Sequence, residues 1–275
     1  MKAFYHKSDL DGQCSGAIVR IAYPECELIG IDYGDEFPWD TIAPSETILM
    51  TDFSLQPFSD MVRLEKACYL VWIDHHKSAI EEATKVNFSA AGLLEIGTGA
   101  CILTYRYLFR PTTIPTFVRL LGEYDVWDHS DPRTLPFQYG MRLLDTDPNN
   151  KEMWESLYDV EATQRIIEDG SIVLKYVTQY YNKYAESCVL ETEIVGHKCL
   201  AINLMLANSQ LFDSVWDNKE YDIMVAFGWR GGKWNVSLYT DKDGVDVSVI
   251  AKSFGGGGHK QAAGFQCEEL PFALK

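Results

Sequence analysis

The chain has 275 residues, 47% of them hydrophobic, and a formal net charge of −16 at pH 7. That length is expected to bury two cores, since domains cluster near ~100–150 residues. The acidity excludes the basic footprint that grips long duplex nucleic acid, but it is compatible with a small phosphorylated molecule if divalent cations invert the local field.

The opening "MKAFYHKSDL" lacks an apolar signal core, and no run reaches the roughly 18 apolar residues that span a bilayer. A cytoplasmic protein with no membrane partner is therefore expected. Seven cysteines, odd in number, dispersed and never in C-x-x-C spacing, predict reduced thiols rather than a disulfide framework or a zinc site.

Through residue 145, short apolar runs alternate with helix-like stretches, the pattern of a parallel sheet with crossover helices. "KAFYH", "ELIGID", "TILMTD" and "ACYLVWID" read as strands, and the last three each end in an acid. In a doubly wound sheet the ligand crevice lies at the carboxyl ends of the strands, so acids placed there converge on one edge. Helices are expected at about 14–23, 99–109 and 115–122. Residues 129–150, dense in Pro, Asp and Asn, read as a loop-rich connector.

Apolar residues at three-to-four spacing from Ile166 to Tyr184 predict a helix over about 160–186, roughly 40 Å long and suited to a linker. Beyond it, "CVLETEIVGHKCLAINL", "YDIMVAFGWR" and "KWNVSLYTD" read as strands, with "RGGK" as a turn, and "SQLFDSVWDN" and "VDVSVIAKSF" as helices. The expected architecture is α/β: an N-terminal parallel doubly wound sheet over 1–145, a helical linker over 146–187, and a smaller C-terminal mixed-sheet α/β domain over 188–275.

Five segments can carry chemistry. His6, Asp9 and Asp11 follow the first strand; imidazole with carboxylates suits manganese, iron or zinc, although Ser-Asp and Asp-Gly are also ordinary turn residues. A calcium loop is set aside for want of a Glu at its twelfth position. Asp52 ends an apolar strand, where an Asp also serves as a helix cap. Asp74, His75 and His76 crowd the ligand edge of the sheet: His75 suits a metal, His76 a substrate, and Asp74 a supporting role. Asp125, with Asp128 and His129 close behind, reads alone as a charged helix end, but a two-metal site needs more carboxylates than the first three segments supply. In "GGGGHKQAAGF", the bare backbone N–H groups of Gly256, Gly257 and Gly258 can cradle an anion at a helix start, with His259 and Lys260 adding charge.

In this order, the segments resemble the DHH family of phosphoesterases, named for the Asp-His-His at 74–76, with its DHH-associated domain carried by "GGGGHKQAAG" at 255–264. RecJ-type exonucleases, oligoribonucleases (nanoRNases), dinucleotide phosphodiesterases, adenosine bisphosphate phosphatases and inorganic pyro- and exopolyphosphatases share this shape. The resemblance implies two metal ions, usually manganese, with magnesium or cobalt as substitutes. His6, Asp9 and Asp52 would hold one; Asp11, Asp52, His75 and Asp125 would hold the other, with Asp52 bridging. It implies catalytic roles for His76 and His259, support from Asp74, and substrate binding by Gly256, Gly257, Gly258, His259 and Lys260.

Two features depart from the family pattern. His6 and Asp9 are three apart where several subfamilies use four, and "SLYTD" carries no Arg on the strand before the glycine motif, leaving Lys260, Lys77, Arg133 or Arg142 to bind phosphate. The expected activity is metal-dependent hydrolysis of very short oligonucleotides or linear dinucleotides to mononucleotides. The alternatives are an inorganic pyro- or exopolyphosphatase, an adenosine bisphosphate phosphatase and, from another class, a metal or nucleotide sensor. The expected partners are a small phosphorylated substrate or a short single strand and, as in relatives, a second copy in a homodimer.

Overall fold

Strands buried on both faces need apolar residues in both phases of the two-residue repeat. In the computed structural model, which describes residues 1–274, β1 (Lys2–His6), β3 (Thr47–Thr51) and β4 (Tyr69–Asp74) meet this need, and β2 (Glu27–Ile31) and β5 (Ala91–Leu94) are more exposed edge strands. The five form one all-parallel sheet in the order β2-β1-β3-β4-β5. Four helices flank the sheet: α1 (Leu10–Ala22), α2 (Ser59–Ala67), α3 (Lys77–Lys85) and α4 (Ala100–Phe109). Phe4, Ile48, Met50, Leu70 and Trp72 share a core with Met61 and Leu64 of α2 and Ala79 and Ala83 of α3. Ala3, Leu49, Val71 and Ile73 take the opposite phase and pack with Val19 of α1 and Leu103 of α4. The sheet is thus doubly wound. The chain leaves β1 for β2 on one side and returns to β3 on the other, so the topological switch lies between β1 and β3, where the crevice of such sheets opens.

α5 (Thr116–Asp125), α6 (Thr134–Met141) and α7 (Lys151–Ser156) extend this unit, burying Phe117, Leu121, Phe137, Met141 and Trp154 with Cys14, Ile18 and Cys101. The connector expected over 129–150 is therefore corrected: 134–141 is a buried helix. Pro136 lies in its first turn, where a missing N–H costs nothing, so a residue read as a breaker is compatible with helix. The chain divides into two compact units, Met1–Leu174 and Lys175 onward, so the boundary falls inside the 29-residue helix α8 (Val160–Cys188), where the sequence places a linker over 146–187.

The second unit holds a mixed sheet, ordered β10-β11-β9-β8-β7-β6, made of β6 (Leu190–Ile194), β7 (His197–Ile202), β8 (Ile223–Arg230), β9 (Lys233–Tyr239), β10 (Gly257–Gly258) and β11 (Ala262–Cys267). Only β7 and β8 run parallel. One face packs on α9 (Val247–Ser253) through Val247, Ile250 and Ala251; the other covers Ala185 of α8 and Leu211 and Phe212. "SQLFDSVWDN" is a short 3-10 turn over Ser209–Phe212 rather than a helix, closed by bonds from Val215 N and Trp216 N to the Phe212 carbonyl. The glycine run does not open a helix, which corrects the expectation of an anion cradle at a helix start. It closes α9, with Gly255 N bonded to Lys252 O and Gly256 N to Ala251 O, and then forms β10. Those donors, and His259 N bonded to Ala262 O, are spent on structure. Among the described residues, no helix is long and apolar enough to cross a membrane, and all seven cysteines are free thiols.

Candidate metal centre

The carboxyl ends of β1, β3 and β4 deliver His6, Asp52 and the Asp74-His75-His76 run to one edge. After β1 the chain turns at once into α1, whose N-cap is Asp9: its Oδ1 accepts from Gly12 N at 2.8 Å, while its Oδ2 lies 2.7 Å from His6 Nδ1. This turn is tight enough to require glycine. A Cβ on Gly12 would sit 2.0 Å from the His6 carbonyl oxygen and 2.7 Å from His6 Cβ. Asp11, one residue earlier, is buried, and its two oxygens accept from Ala100 N (2.6 Å) and Cys101 N (2.9 Å) at the positive end of α4.

Asp125 comes from a helix rather than a strand, as the last residue of α5. Its approach depends on Gly99 and Gly122: a Cβ on Gly99 would be 2.4 Å from Gly122 Cα, so the segment before α4 and the end of α5 touch backbone to backbone. An acid in the last turn of a helix faces the negative end of the helix dipole, an unfavourable placement that the local fold does not reward.

Asp52 sits between the two groups. It adopts the left-handed conformation (φ 56°), which Asp tolerates better than most residues, and its side chain is 2% exposed. One oxygen lies 3.7 Å from His6 Nδ1; the other lies 3.3 Å from His75 Nε2, which is itself 3.2 Å from Asp125 and 4.0 Å from Asp11. Three groups of ligand atoms result, each within 4.8 Å of one another: His6 with Asp9 and Asp52, Asp52 with Asp74, His75 and His76, and Asp11 with His75 and Asp125.

Asp74 is fully buried and satisfied by four donors: Trp72 Nε1, His75 N, His76 N and, at 2.7 Å, His76 Nδ1. It positions both histidines. Gly256, Gly257, Gly258, His259 and Lys260 belong to the second unit, in and beside the β10–β11 hairpin.

The electrostatics call for positive charge. Burial opposes protonation of His6, but the Asp52 and Asp9 carboxylates outweigh it and push His6 up to about 11. By the same balance, Asp52 and Asp125 push His75 up to about 10, and Asp74 pushes His76 up to about 9. Asp11 is pushed up to about 6 by burial and by the Asp52 charge, and Asp125 is raised by burial and by Asp11. Asp52 is held low despite its burial, by the imidazoles of His6 and His75. Oδ1 of Asp52 is buried with no well-formed hydrogen bond. Imidazoles that gather protons among crowded carboxylates, with a buried carboxylate oxygen left over, fit divalent cations of the borderline class.

The sequence reading left out Asp32. It follows β2, and its Oδ1 faces His6 Nε2 at 3.3 Å; Ser8 Oγ and Tyr33 N donate to its two oxygens. A proton held on Nε2 by Asp32 leaves Nδ1 of His6 free for a metal. The signal was the acid that ends "ELIGID". Asp32→Asn is expected to weaken Mn2+ binding about 10-fold without unfolding the protein. Calorimetric titration checks this, and a loss under twofold would show that Asp32 does not set the ring.

Fold and site together define a two-unit α/β protein whose strand ends gather carboxylates and imidazoles, and its similarities to known proteins support a phosphoesterase of the DHH family. Residues 206–275 match the DHHA1 domain. Uncharacterized protein R106 of Acanthamoeba polyphaga mimivirus is 28% identical over 80% of this chain and 53% of its own length. Oligoribonuclease NrnB of Bacillus subtilis is 24% identical over 100% of this chain and 75% of its own. The chain thus spans about half the length of the viral relative and three quarters of the bacterial one. The pGpG-specific phosphodiesterase PggH of Vibrio cholerae is similar in fold, with a TM-score of 0.51 at 10% identity, covering 96% of this chain and 92% of that one.

Proposed function

We propose that this chain is a manganese-dependent phosphodiesterase that hydrolyses very short oligonucleotides or linear dinucleotides to mononucleotides. The observation that carries the proposal is the position of Asp52, a buried carboxylate shared between the group of His6 and Asp9 and the group of His75 and His76, where His75 also adjoins Asp11 and Asp125. His6, Asp9 and Asp52 would hold one ion; Asp11, Asp52, His75 and Asp125 would hold the second. Such ions polarise phosphoryl oxygens and lower the pKa of an attacking water. The protein's own part is positional. Asp74 fixes Nδ1 of His76 and, against burial, raises that imidazole to about 9 in the ion-free protein, which suits it to face the charge that develops on the phosphoryl group. In the DHHA1 segment, His259 and Lys260 are assigned to the substrate. The relative NrnB, an oligoribonuclease by name, supports a short RNA as substrate.

Product chromatography with Mn2+ present tests the proposal on pApA, pGpG, a pentanucleotide RNA, adenosine bisphosphate and pyrophosphate. Mononucleotides are expected, fastest from the shortest strands. Phosphate released from pyrophosphate alone would replace the proposal with a phosphatase.

A further inference from the structure

Beside the metal-ligating cluster, in the same unit, is a cavity of about 150 Å³ whose walls include the rings of Tyr33, Phe37, Trp39 and Phe53. Tyr33 and Phe53 lie with centroids 4.7 Å apart, and these rings are 5.9 and 6.1 Å from the imidazole of His6. Phe53 directly follows Asp52, so pocket and cluster share a stretch of backbone. Phe37 and Phe53 are buried, whereas Tyr33 is 48% exposed. The wall is therefore an aromatic surface with one accessible ring, not the interior of a core.

The polar groups of the cavity exclude a phosphate. Among the described residues that line it, these are the carboxylates of Asp32, Asp35 and Asp60, the amide of Gln56, the Tyr33 hydroxyl and the Trp39 indole N–H, with no Lys or Arg. A neutral planar group with N–H donors fits such walls. Two of the carboxylates are occupied: Asp32 by Ser8, Tyr33 N and His6, and Asp35 by Lys7 and Asp32 N. The Asp60 carboxylate has no hydrogen bond or ion pair to any described residue.

We infer that this cavity receives the base of the nucleotide whose phosphate lies at the metal cluster, and that Asp60 makes it select guanine. The inference rests on the proposed nucleotide substrate and specifies its base. Guanine presents N1–H and an exocyclic N–H side by side, a pair that one carboxylate accepts through both oxygens. Adenine places a lone pair on N1 at the same point, which a carboxylate repels. The exposed ring of Tyr33 supplies a stacking face of the kind that holds bases in single-strand binding sites.

The test is equilibrium binding with Mn2+ present, titrating GMP, AMP and ribose 5-phosphate into the wild type, Tyr33→Ala, Tyr33→Phe and Asp60→Asn. The wild type is expected to bind GMP more tightly than the other two. In Tyr33→Ala the preference for GMP over ribose 5-phosphate should fall roughly 10- to 100-fold, the value of a stacked base, and Tyr33→Phe should retain it. Asp60→Asn should lose the preference for GMP over AMP. Equal wild-type affinity for GMP and ribose 5-phosphate would overturn the pocket, and equal affinity for GMP and AMP would overturn the guanine assignment. Hydrolysis of pGpG is measured separately: base-selective binding without turnover removes the phosphodiesterase reading and leaves the pocket standing.

Discussion

Asp52→Ala is expected to lower turnover of a linear dinucleotide by more than about 100-fold, beyond what losing an outer partner of a metal ligand costs, and to weaken both ion sites together. Asp52 lies 3.7 Å from His6 Nδ1 and 3.3 Å from His75 Nε2, so its substitution removes a donor beside both histidines. The fold should survive. The Asp52 charge raises Asp11 in the ion-free protein, so its removal relieves that repulsion and offsets part of the lost pairing with the imidazoles of His6 and His75. Circular dichroism, Mn2+ titration and product formation together check the prediction; a variant that keeps turnover would remove the basis for a shared carboxylate. The wild-type titration has a sign of its own. His6 and His75, pushed up to about 11 and about 10 without an ion, carry protons that an ion must displace, so affinity should fall as pH is lowered from 8 to 6.

Gly12→Ala is the second large effect. A Cβ at 2.0 Å from the His6 carbonyl oxygen cannot be accommodated by a side-chain adjustment, because its neighbour is backbone. Either β1 and the start of α1 part, or the turn rebuilds. Overpacking of this kind costs about 1–3 kcal/mol, and here it also shifts His6 against Asp9, which caps the same turn. Urea unfolding should show the lost stability in the ion-free protein, and titration should show weaker ion binding. Parent values in both would mean that the close approach is dispensable.

Much of the first unit was legible because strand ends carry two signals at once. An apolar run says strand, and an acid or histidine at its end names the edge of the sheet where a ligand binds; β1, β3 and β4 were read in this way. Asp32 carried the same signal on β2, but its role toward His6 is a three-dimensional fact: β2 pairs with β1, and only pairing brings 32 to 6. Asp11 shows the limit from the other side. Its type and position suggested a ligand, yet its bonds to the first turn of α4 join residues 89 and 90 positions apart, which no local pattern encodes.

Local rules also misled. Pro136 and Gly140 in 134–141 count as breakers, but the proline falls in a first turn. Gly140 has its own reason, because a Cβ there would lie 2.1 Å from the Ile166 carbonyl oxygen. The glycine run at 255–258 reads as an anion cradle at a helix start because composition does not reveal that α9 ends there and takes the N–H groups of Gly255 and Gly256. Tyr33, Phe37, Trp39 and Phe53 passed unnoticed among 15 Tyr, 13 Phe and 7 Trp, since nothing in a sequence separates a ring that lines a cavity from one that fills a core.

The long helix α8 has a consequence for the order in which the protein is made. A chain emerges from the ribosome N-terminus first, and domains fold as units as they appear. The first half of α8, through Ile166 and Ile167, is sealed into the core of the first unit, whose other members all precede it. The second half turns Tyr181, Tyr184 and Ala185 toward Leu200, Ile202, Leu211 and Met224, none of which has been synthesised when the helix emerges. The second half of the helix thus waits for its partners, while the first half has already met the cost of helix nucleation.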